Sequence, residues 1–173
     1  MEMMFNNQQE VDLLLNSFKS TDIVLEWGSG GSTLEIAKRV KELHSIEHDI
    51  NWYYKVKKQL PFNAHLYHVQ RNQEEASGHD GTLDDYFDYV NFPLRYLKDI
   101  KYDVVFIDGR ARPHCAFVAY QLLKSNGLLF VHDYRHPKEE YRRYEYEVIE
   151  DLFEPIEGAF ALWKFKRRFD GGR

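Results

Sequence analysis

The chain has 173 residues, a formal net charge of −5 and a single cysteine. This length predicts one domain over residues 1–173, and the negative charge argues against a nucleic-acid partner, because phosphate binding needs clustered Lys and Arg. With no possible intrachain disulfide, no apolar run near the ~20 residues of a membrane span and no signal-peptide pattern, we expect an intracellular, cytoplasmic protein without a membrane partner.

Short apolar runs alternate along the chain with stretches whose apolar residues recur at helical spacing. The predicted elements, in chain order, are a leading helix at 6–19 within residues 1–20, a strand at 23–25, a helix at about 33–41, a strand at 43–47, a helix at 50–59, a strand at 64–69, a strand at 103–107, a helix at 113–124 ended by Asn126–Gly127, a strand at 128–131, a helix at 138–150, and a closing hairpin at 151–156 and 159–166.

Strands that alternate with helices predict an α/β fold with a doubly wound, Rossmann-like sheet. Together with the closing hairpin, the sheet has seven strands, mostly parallel, with the last one antiparallel. Ligands of such sheets bind beyond the carboxyl ends of the strands, where the strand order reverses. The residues that directly follow each strand are therefore the first candidates for a site.

Residues 70–97 are polar and contain glycine, and we predict a long loop there that covers a bound substrate. Aromatic rings can stack on a ligand such as a sugar, although they also fold loops onto a core. The aromatic residues of this segment are Tyr86, Phe87, Tyr89, Phe92 and Tyr96.

A glycine-rich turn follows the first strand. Glycines let the backbone turn sharply and approach a ligand, and the helix that follows offers free amides. Thr33 stands where a dinucleotide fingerprint has its third glycine or alanine, and Glu26 precedes the turn, where a carboxylate would repel a pyrophosphate but hold a cationic amine. A turn that merely joins a strand to a helix is the alternative. The candidate residues are Glu26, Gly28, Ser29, Gly30, Ser32 and Thr33.

Glu47 follows the second strand, 21 positions after Glu26. An acid about 20 residues beyond a glycine turn suits hydrogen bonding to ribose hydroxyls. The alternative is a helix-capping acid, although Asp49 is better placed for that role. The combination of the turn with Glu47 is more specific than either feature alone.

On these residues, the chain resembles the class I S-adenosylmethionine-dependent methyltransferases from residue 22 to residue 166. The resemblance implies that the turn from Glu26 to Thr33 holds the methionine part of S-adenosylmethionine and that Glu47 holds its ribose. It further implies that Gln70 and Arg71, at the end of the third strand, lie near the adenine.

The fourth strand ends in Asp108-Gly-Arg110-Ala-Arg112, which is similar to small-molecule and sugar O-methyltransferases that carry Asp-Gly-Arg-x-Arg there. Asp108 could contact the cofactor, act as a general base, orient the acceptor hydroxyl or bind a metal. Arg110 and Arg112 could bind an anionic substrate or the cofactor carboxylate, or could close the loop through a salt bridge. His114, which lies one helical turn beyond Arg110, is an alternative candidate for the general base.

The fifth strand ends in His132-Asp133-Tyr134, and Tyr134 is a candidate substrate contact. His132 is a further candidate base. Asp108, His132 and Asp133 should converge, and their oxygen and imidazole ligands suit Mg²⁺ or Mn²⁺. Similar metal sites usually have an acid where this chain has His132.

The sequence thus predicts methyl transfer from S-adenosylmethionine to an acceptor hydroxyl, preferably on a sugar or glycan. A weaker resemblance links it to glycan methyltransferases of large algal viruses. The alternatives are a methyltransferase of another small molecule, a NAD-dependent oxidoreductase, against which Glu26 and Thr33 argue, and a cofactor-binding protein without catalysis.

Overall fold

The computed structural model describes residue 5 and residues 7–74, 81–135 and 144–168. None of the helices in these ranges is long and apolar enough to cross a membrane. The elements are α1 (Gln8–Leu15), β1 (Ile23–Trp27), α2 (Gly31–Ala37), β2 (Glu42–Glu47), α3 (Ile50–Lys57), β3 (Ala64–His68), α4 (Phe87–Tyr96), β4 (Tyr102–Ile107), α5 (Arg112–Leu122), β5 (Leu123–Val131), a 3₁₀ helix (Tyr144–Asp151), β6 (Phe153–Ala159) and β7 (Leu162–Arg167).

The strands form one seven-stranded sheet in the order β3-β2-β1-β4-β5-β7-β6. Strands β1 to β5 pair in parallel, whereas β7 is antiparallel to both β5 and β6. This arrangement confirms the predicted Rossmann-like fold with a closing antiparallel hairpin. Strand order reverses between β1 and β4, so the crevice at their carboxyl ends is the expected ligand position.

The sheet is buried on both faces, because neighbouring residues of each central strand enter opposite cores. In β4, Val104 and Phe106 join the core that contains Leu14 of α1, while Val105 and Ile107 join the core that contains α4 and α5. Continuous apolar runs are typical of parallel strands covered on both sides. This explains why short strands such as β4 could be recognised in the sequence.

The prediction of an irregular segment at 70–97 is wrong in its second half, where α4 forms. Its buried residues follow helical spacing: Tyr86 precedes the helix, and Tyr89, Val90 and Pro93 lie three, four and seven positions later. Pro93 inside the helix disguised this pattern, because proline usually ends a helix. Part of the predicted loop, residues 75–80, lies outside the described residues.

The prediction that Asn126–Gly127 ends a helix is also wrong, since α5 stops at Leu122 and β5 begins at once. The register explains the difference: Leu123 pairs with Tyr102, but the next pair is Leu128 with Val104. Asn126 and Gly127 therefore belong to an irregularity inside the strand, where one strand has extra residues that are left unpaired. Of the helix predicted at 138–150, residues 144–150 are 3₁₀-helical and residues 138–143 lie outside the described residues.

Candidate functional site

Two glycines from neighbouring strand ends touch at the point where the strand order reverses. Gly28 has φ of +92°, and its amide donates to the carbonyl of Ile46 at 2.9 Å. A Cβ on Gly28 would lie 2.6 Å from the backbone nitrogen of Gly109. A Cβ on Gly109 would likewise collide with the Tyr89 hydroxyl. Only glycine lets the two turns approach this closely, and together they form the floor of a cavity.

The side chain of Glu26 lies beneath the turn and is fully buried. Its Oε1 accepts a hydrogen bond from Ser32 at 2.7 Å, and its Oε2 accepts hydrogen bonds from Thr33 and Ser45 at 2.6 Å each. Thr33 Oγ1 also accepts the amide hydrogen of Gly30 at 2.8 Å, which fixes the start of α2. The expected contact of Glu26 and Thr33 with a ligand is therefore corrected: both residues hold the turn in shape from below.

Glu26 should make folding stability depend on pH. Burial raises the pKa of its carboxyl to about 7, against the lowering effect of the three hydroxyl donors. The pKa of this carboxyl in the folded protein is above its ordinary value of 4.5. Between these two pKa values, the Glu26 carboxyl is therefore protonated in the folded state but ionised in the unfolded state. Its stabilising contribution is full below pH 4.5 and is lost as the pH rises to about 7. We expect Glu26→Gln to remove this part of the pH dependence of the free energy of unfolding.

Urea denaturation at several pH values between 4 and 8 measures that free energy. Glu35→Gln is the matched control, because Glu35 is a half-buried helix acid whose pKa is lowered, chiefly by its hydrogen bond with Lys38. The control should keep the wild-type slope between pH 4.5 and 7. Equal slopes in wild type and Glu26→Gln would disprove this account of Glu26.

Glu47 is fixed at the wall of the cavity by four donors. Its Oε2 accepts from both the amide and the hydroxyl of Ser29, at 2.9 Å each. Its Oε1 accepts from the amides of His48 and Asp49, also at 2.9 Å. The carboxylate is thus oriented before any ligand arrives. One of its four partners, the Ser29 hydroxyl, belongs to a rotatable side chain that a ligand hydroxyl can replace.

The cavity at this point has a volume of about 390 Å³, within the range of small-molecule sites. The cavity is lined both by the glycine turn and by Glu47 and Asp108, the acids that follow β2 and β4. Its lining residues are Gly28, Ser29, Gly30, Gly31, Ser32, Glu47, His48, Trp52, Asp108, Gly109, Arg110 and His132.

Two lining residues, His48 and Trp52, were not foreseen from the sequence. The indole nitrogen of Trp52 donates to the carbonyl of Ser29, so the first turn of α3 closes over the glycine turn. The sequence does contain a signal for Trp52, because it is an aromatic residue shortly after Glu47, the acid at the end of β2. Gln70 and Arg71 line an adjacent cavity of about 490 Å³ that shares His48, and they do not line the first cavity.

His132 is held between carboxylates of two distant elements. Its Nδ1 lies 3.1 Å from Asp108 and its Nε2 lies 3.3 Å from Glu10 of α1, while Phe5 stacks on the ring at 5.0 Å. Burial lowers its pKa, but hydrogen bonds with Asp108, Asp133 and Glu10 outweigh this effect and raise it to about 11. His132 is therefore an imidazolium near neutral pH, and its predicted role as a base is corrected.

Glu10 is the second feature that sequence reasoning missed. It is buried on α1, and its Oε1 also accepts the amide hydrogen of Ala161 at 3.0 Å, between β6 and β7. The available signal in the sequence was the spacing of Glu10, which lies four positions before Leu14 and therefore on the same buried face of α1. Glu10 thereby connects the leading helix with the side of the cavity where His132 lies.

Of the two arginines Arg110 and Arg112, Arg112 is buried and bonds to the loops that follow β4 and β5. It is 5% exposed, and its Nε donates to the carbonyl of Gly109 at 3.0 Å. Its Nη1 donates to the carbonyl of His132 at 2.5 Å and to Asp133 at 2.8 Å. In this structure Arg112 therefore joins the loops after β4 and β5 through these bonds and its salt bridge with Asp133, and it does not line the cavity. Arg110 lines the cavity, and its role as a substrate contact stays a prediction.

The donor atoms of Asp108, His132 and Asp133 lie within 4.8 Å of one another. The three residues also belong to a network of ion pairs, because Asp133 contacts the guanidinium of Arg112 and His132 contacts Glu10. A metal held by these three residues stays a prediction.

Two further predicted residues lie away from the cavity. Tyr134 is fully buried, packs edge-on against Phe165 and donates its hydroxyl hydrogen to Glu150, so it is a core residue. His114, on α5, does not line the cavity, and burial lowers its pKa. The substrate role of Tyr134 and the base role of His114 are both corrected.

The aromatic residues of segment 70–97 also take other positions than expected. Tyr86 and Tyr89 are buried in the core beside His48, and Phe92 packs on Tyr67 of β3. None of the five aromatic residues is among those that line the cavity, and Phe87 and Tyr96 are exposed. Packing on the core, the alternative to stacking on a ligand, is thus observed for Tyr86, Tyr89 and Phe92.

No protein-family model and no curated protein matches the sequence. Solved structures do match. A methyltransferase-like protein from Silicibacter pomeroyi is 23% identical over 96% of this chain and 88% of its own, with a TM-score of 0.71. A TehB-like SAM-dependent methyltransferase from Corynebacterium glutamicum is 10% identical over 95% and 89%, with a TM-score of 0.57.

A third similar structure is a 16S rRNA N2 methyltransferase from T. thermophilus, solved with AdoMet and guanosine. It is 16% identical over 93% of this chain and 42% of its own length, with a TM-score of 0.60. Together with the strand order and the position of the cavity, these likenesses establish that the chain has the class I fold of the S-adenosylmethionine-dependent methyltransferases.

Proposed function

We propose that the chain binds S-adenosylmethionine in the cavity at the ends of β1 and β4 and transfers its methyl group to an acceptor hydroxyl. The preoriented carboxylate of Glu47 beside the touching glycines is the observation that carries the proposal. A ribose diol can take the place of the Ser29 hydroxyl on Glu47. The shared fold supports the same donor, because the similar structures are named as methyltransferases.

The hydrogen bonds of the turn argue against a dinucleotide. A pyrophosphate needs free amides at the start of the helix after the turn. Here the amide of Ser29 donates to Glu47, and the amide of Gly30 donates to Thr33. Two of the amides that would bind phosphate oxygens are therefore engaged, which disfavours the NAD-dependent oxidoreductase.

Methyl transfer needs the acceptor oxygen in line with the sulfonium methyl group. The acceptor oxygen forms the new C–O bond while the C–S bond breaks, and S-adenosylhomocysteine leaves. The carboxylate of Asp108 lines the cavity and can take the hydroxyl proton, which then passes to solvent. His132 holds this carboxylate in place through Nδ1, at 3.1 Å. Asp108 therefore remains the proposed base.

Asp108→Asn should lower turnover by roughly 10²–10⁴-fold, because an amide cannot accept the proton. Binding of S-adenosylhomocysteine should change little. Transfer of labelled methyl groups from S-adenosylmethionine to monosaccharides, polysaccharides and RNA measures turnover and acceptor class together. The matched control is Asp99→Asn, an exposed acid that lies outside the cavity. Full turnover in Asp108→Asn would exclude this residue as the base.

We favour a sugar or glycan acceptor, on the resemblance of the Asp108-Gly-Arg-x-Arg segment and on Arg110 in the cavity wall. The negative net charge of the chain argues against a nucleic acid. RNA is nevertheless the informative competitor in the assay, since one of the similar structures is an rRNA methyltransferase. Methylation of RNA with no methylation of sugars would overturn the proposed acceptor while leaving the donor intact.

A further inference from the structure

Three metal-ligating side chains meet at the β2–β3 edge of the sheet, outside the cavity already described. Glu42 and His44 are two residues apart on β2 and therefore share one face of the strand. His65 of β3 is the direct register partner of His44. Because β3 is the outermost strand on this side, the cluster lies where the edge strand joins the rest of the sheet.

The donor atoms of this cluster are spaced as in a metal centre. His44 Nε2 lies 2.9 Å from Glu42 Oε1, and His65 Nε2 lies 3.6 Å from the same oxygen. All three ligand atoms lie within 4.8 Å of one another. In tetrahedral zinc sites, bonds of about 2.0–2.1 Å place neighbouring ligand atoms about 3.3 Å apart. The two measured separations bracket that value.

A surrounding shell of tyrosines orients the cluster. His44 Nδ1 lies 3.1 Å from the Tyr67 hydroxyl, so a proton on Nδ1 leaves the lone pair on Nε2 for a metal. Metal-bound histidines typically use their second nitrogen in this way. The ring of Tyr102 packs edge-on against His44, and its buried hydroxyl has no hydrogen-bond partner among the described residues.

The charged neighbours also distinguish this cluster from the Asp108–His132–Asp133 network. The ion pairs and hydrogen bonds found for the three residues include no arginine or lysine, in contrast to Arg112 beside Asp133.

We propose that Glu42, His44 and His65 bind a zinc ion, which thereby links the edge strand β3 to β2. Two imidazole nitrogens and one carboxylate oxygen supply three ligands, and water takes the fourth position. Solvent can reach that position, because the side chains of His65 and Glu42 are 49% and 33% exposed. The site is independent of the proposed methyl transfer and serves the stability of the sheet edge.

Zinc chloride titrated into the full chain, prepared without any affinity tag, tests the proposal. We expect one zinc ion per chain, measured by competition with a chromophoric chelator, and a rise in melting temperature with zinc. His65→Ala should abolish both effects, and its exposed side chain makes misfolding unimportant. His68→Ala is the matched control, because His68 lies on β3 but faces the opposite side of the strand.

Tyr67→Phe separates orientation from ligation, because it removes only the hydroxyl beside His44. We expect its zinc affinity to fall by roughly 10–100-fold. Substitution with Co²⁺ should give the visible absorption of a tetrahedral site in wild type and none in His65→Ala. Absence of zinc binding in wild type, or equal zinc affinity in wild type and His65→Ala, would overturn the proposal. Neither result would affect the proposed methyl transfer.

Discussion

Gly28→Ala should abolish binding of S-adenosylhomocysteine and destabilise the fold. The backbone at φ of +92° costs an alanine about 1–3 kcal/mol. The added Cβ also meets backbone atoms of Gly109 at 2.6 and 2.7 Å, which are not the flexible end of a side chain. The turns after β1 and β4 must therefore separate, and the floor of the cavity is lost. Urea denaturation and calorimetric titration measure the two effects.

Gly30→Ala is the matched control for stability. Its φ of 179° is open to any residue, and an added Cβ would approach the Trp52 side chain only to 3.6 Å. We expect its free energy of unfolding to stay within about 1 kcal/mol of wild type. Equal free energies of unfolding for Gly28→Ala and Gly30→Ala would show that the close approach of Gly28 to Gly109 does not require a glycine.

Replacement of Glu47 should weaken cofactor binding strongly. Each hydrogen bond to a charged group contributes about 1.5–3 kcal/mol, so the loss of two ribose contacts should weaken binding by roughly 100-fold or more. Glu47→Ala also leaves the amides of Ser29, His48 and Asp49 without their acceptor and should lower stability. Calorimetric titration with S-adenosylhomocysteine gives the affinity.

Two companion variants separate ribose binding from support of the turn. Glu47→Gln keeps the shape of the side chain but has only one acceptor oxygen. The variant should therefore fold, and its affinity for S-adenosylhomocysteine should be lower than that of wild type by at least about tenfold. Ser29→Ala removes the hydroxyl that occupies Glu47 Oε2, and its affinity should equal or exceed that of wild type. Wild-type affinity in Glu47→Gln and Glu47→Ala would contradict a ribose contact.

The fold could be predicted because its signals are local. Apolar runs such as Val104 to Ile107 mark strands, and glycines after β1 mark the sharp turn at their end. The position of the cavity then followed from the rule for parallel sheets. Helix α4 was missed because Pro93 interrupts its sequence, although its buried face keeps helical spacing.

The roles of individual charged residues could not be read in the same way. Glu26 was correctly placed beside the turn, but nothing local indicates that Ser45, 19 residues away, reaches the same carboxylate. His132 depends on Glu10 of α1, and Arg112 depends on Asp133 of another strand end. A charged side chain takes its pKa and its function from such partners, which only the folded chain brings together.

Calorimetric titration of the wild-type chain with S-adenosylhomocysteine, and in parallel with NAD, tests the central claim most directly. We predict one binding site for S-adenosylhomocysteine, binding weakened by roughly 100-fold or more in Glu47→Ala, and no binding of NAD. Absence of binding to S-adenosylhomocysteine, or binding that Glu47→Ala leaves unchanged, would contradict the assignment of the cavity to this cofactor.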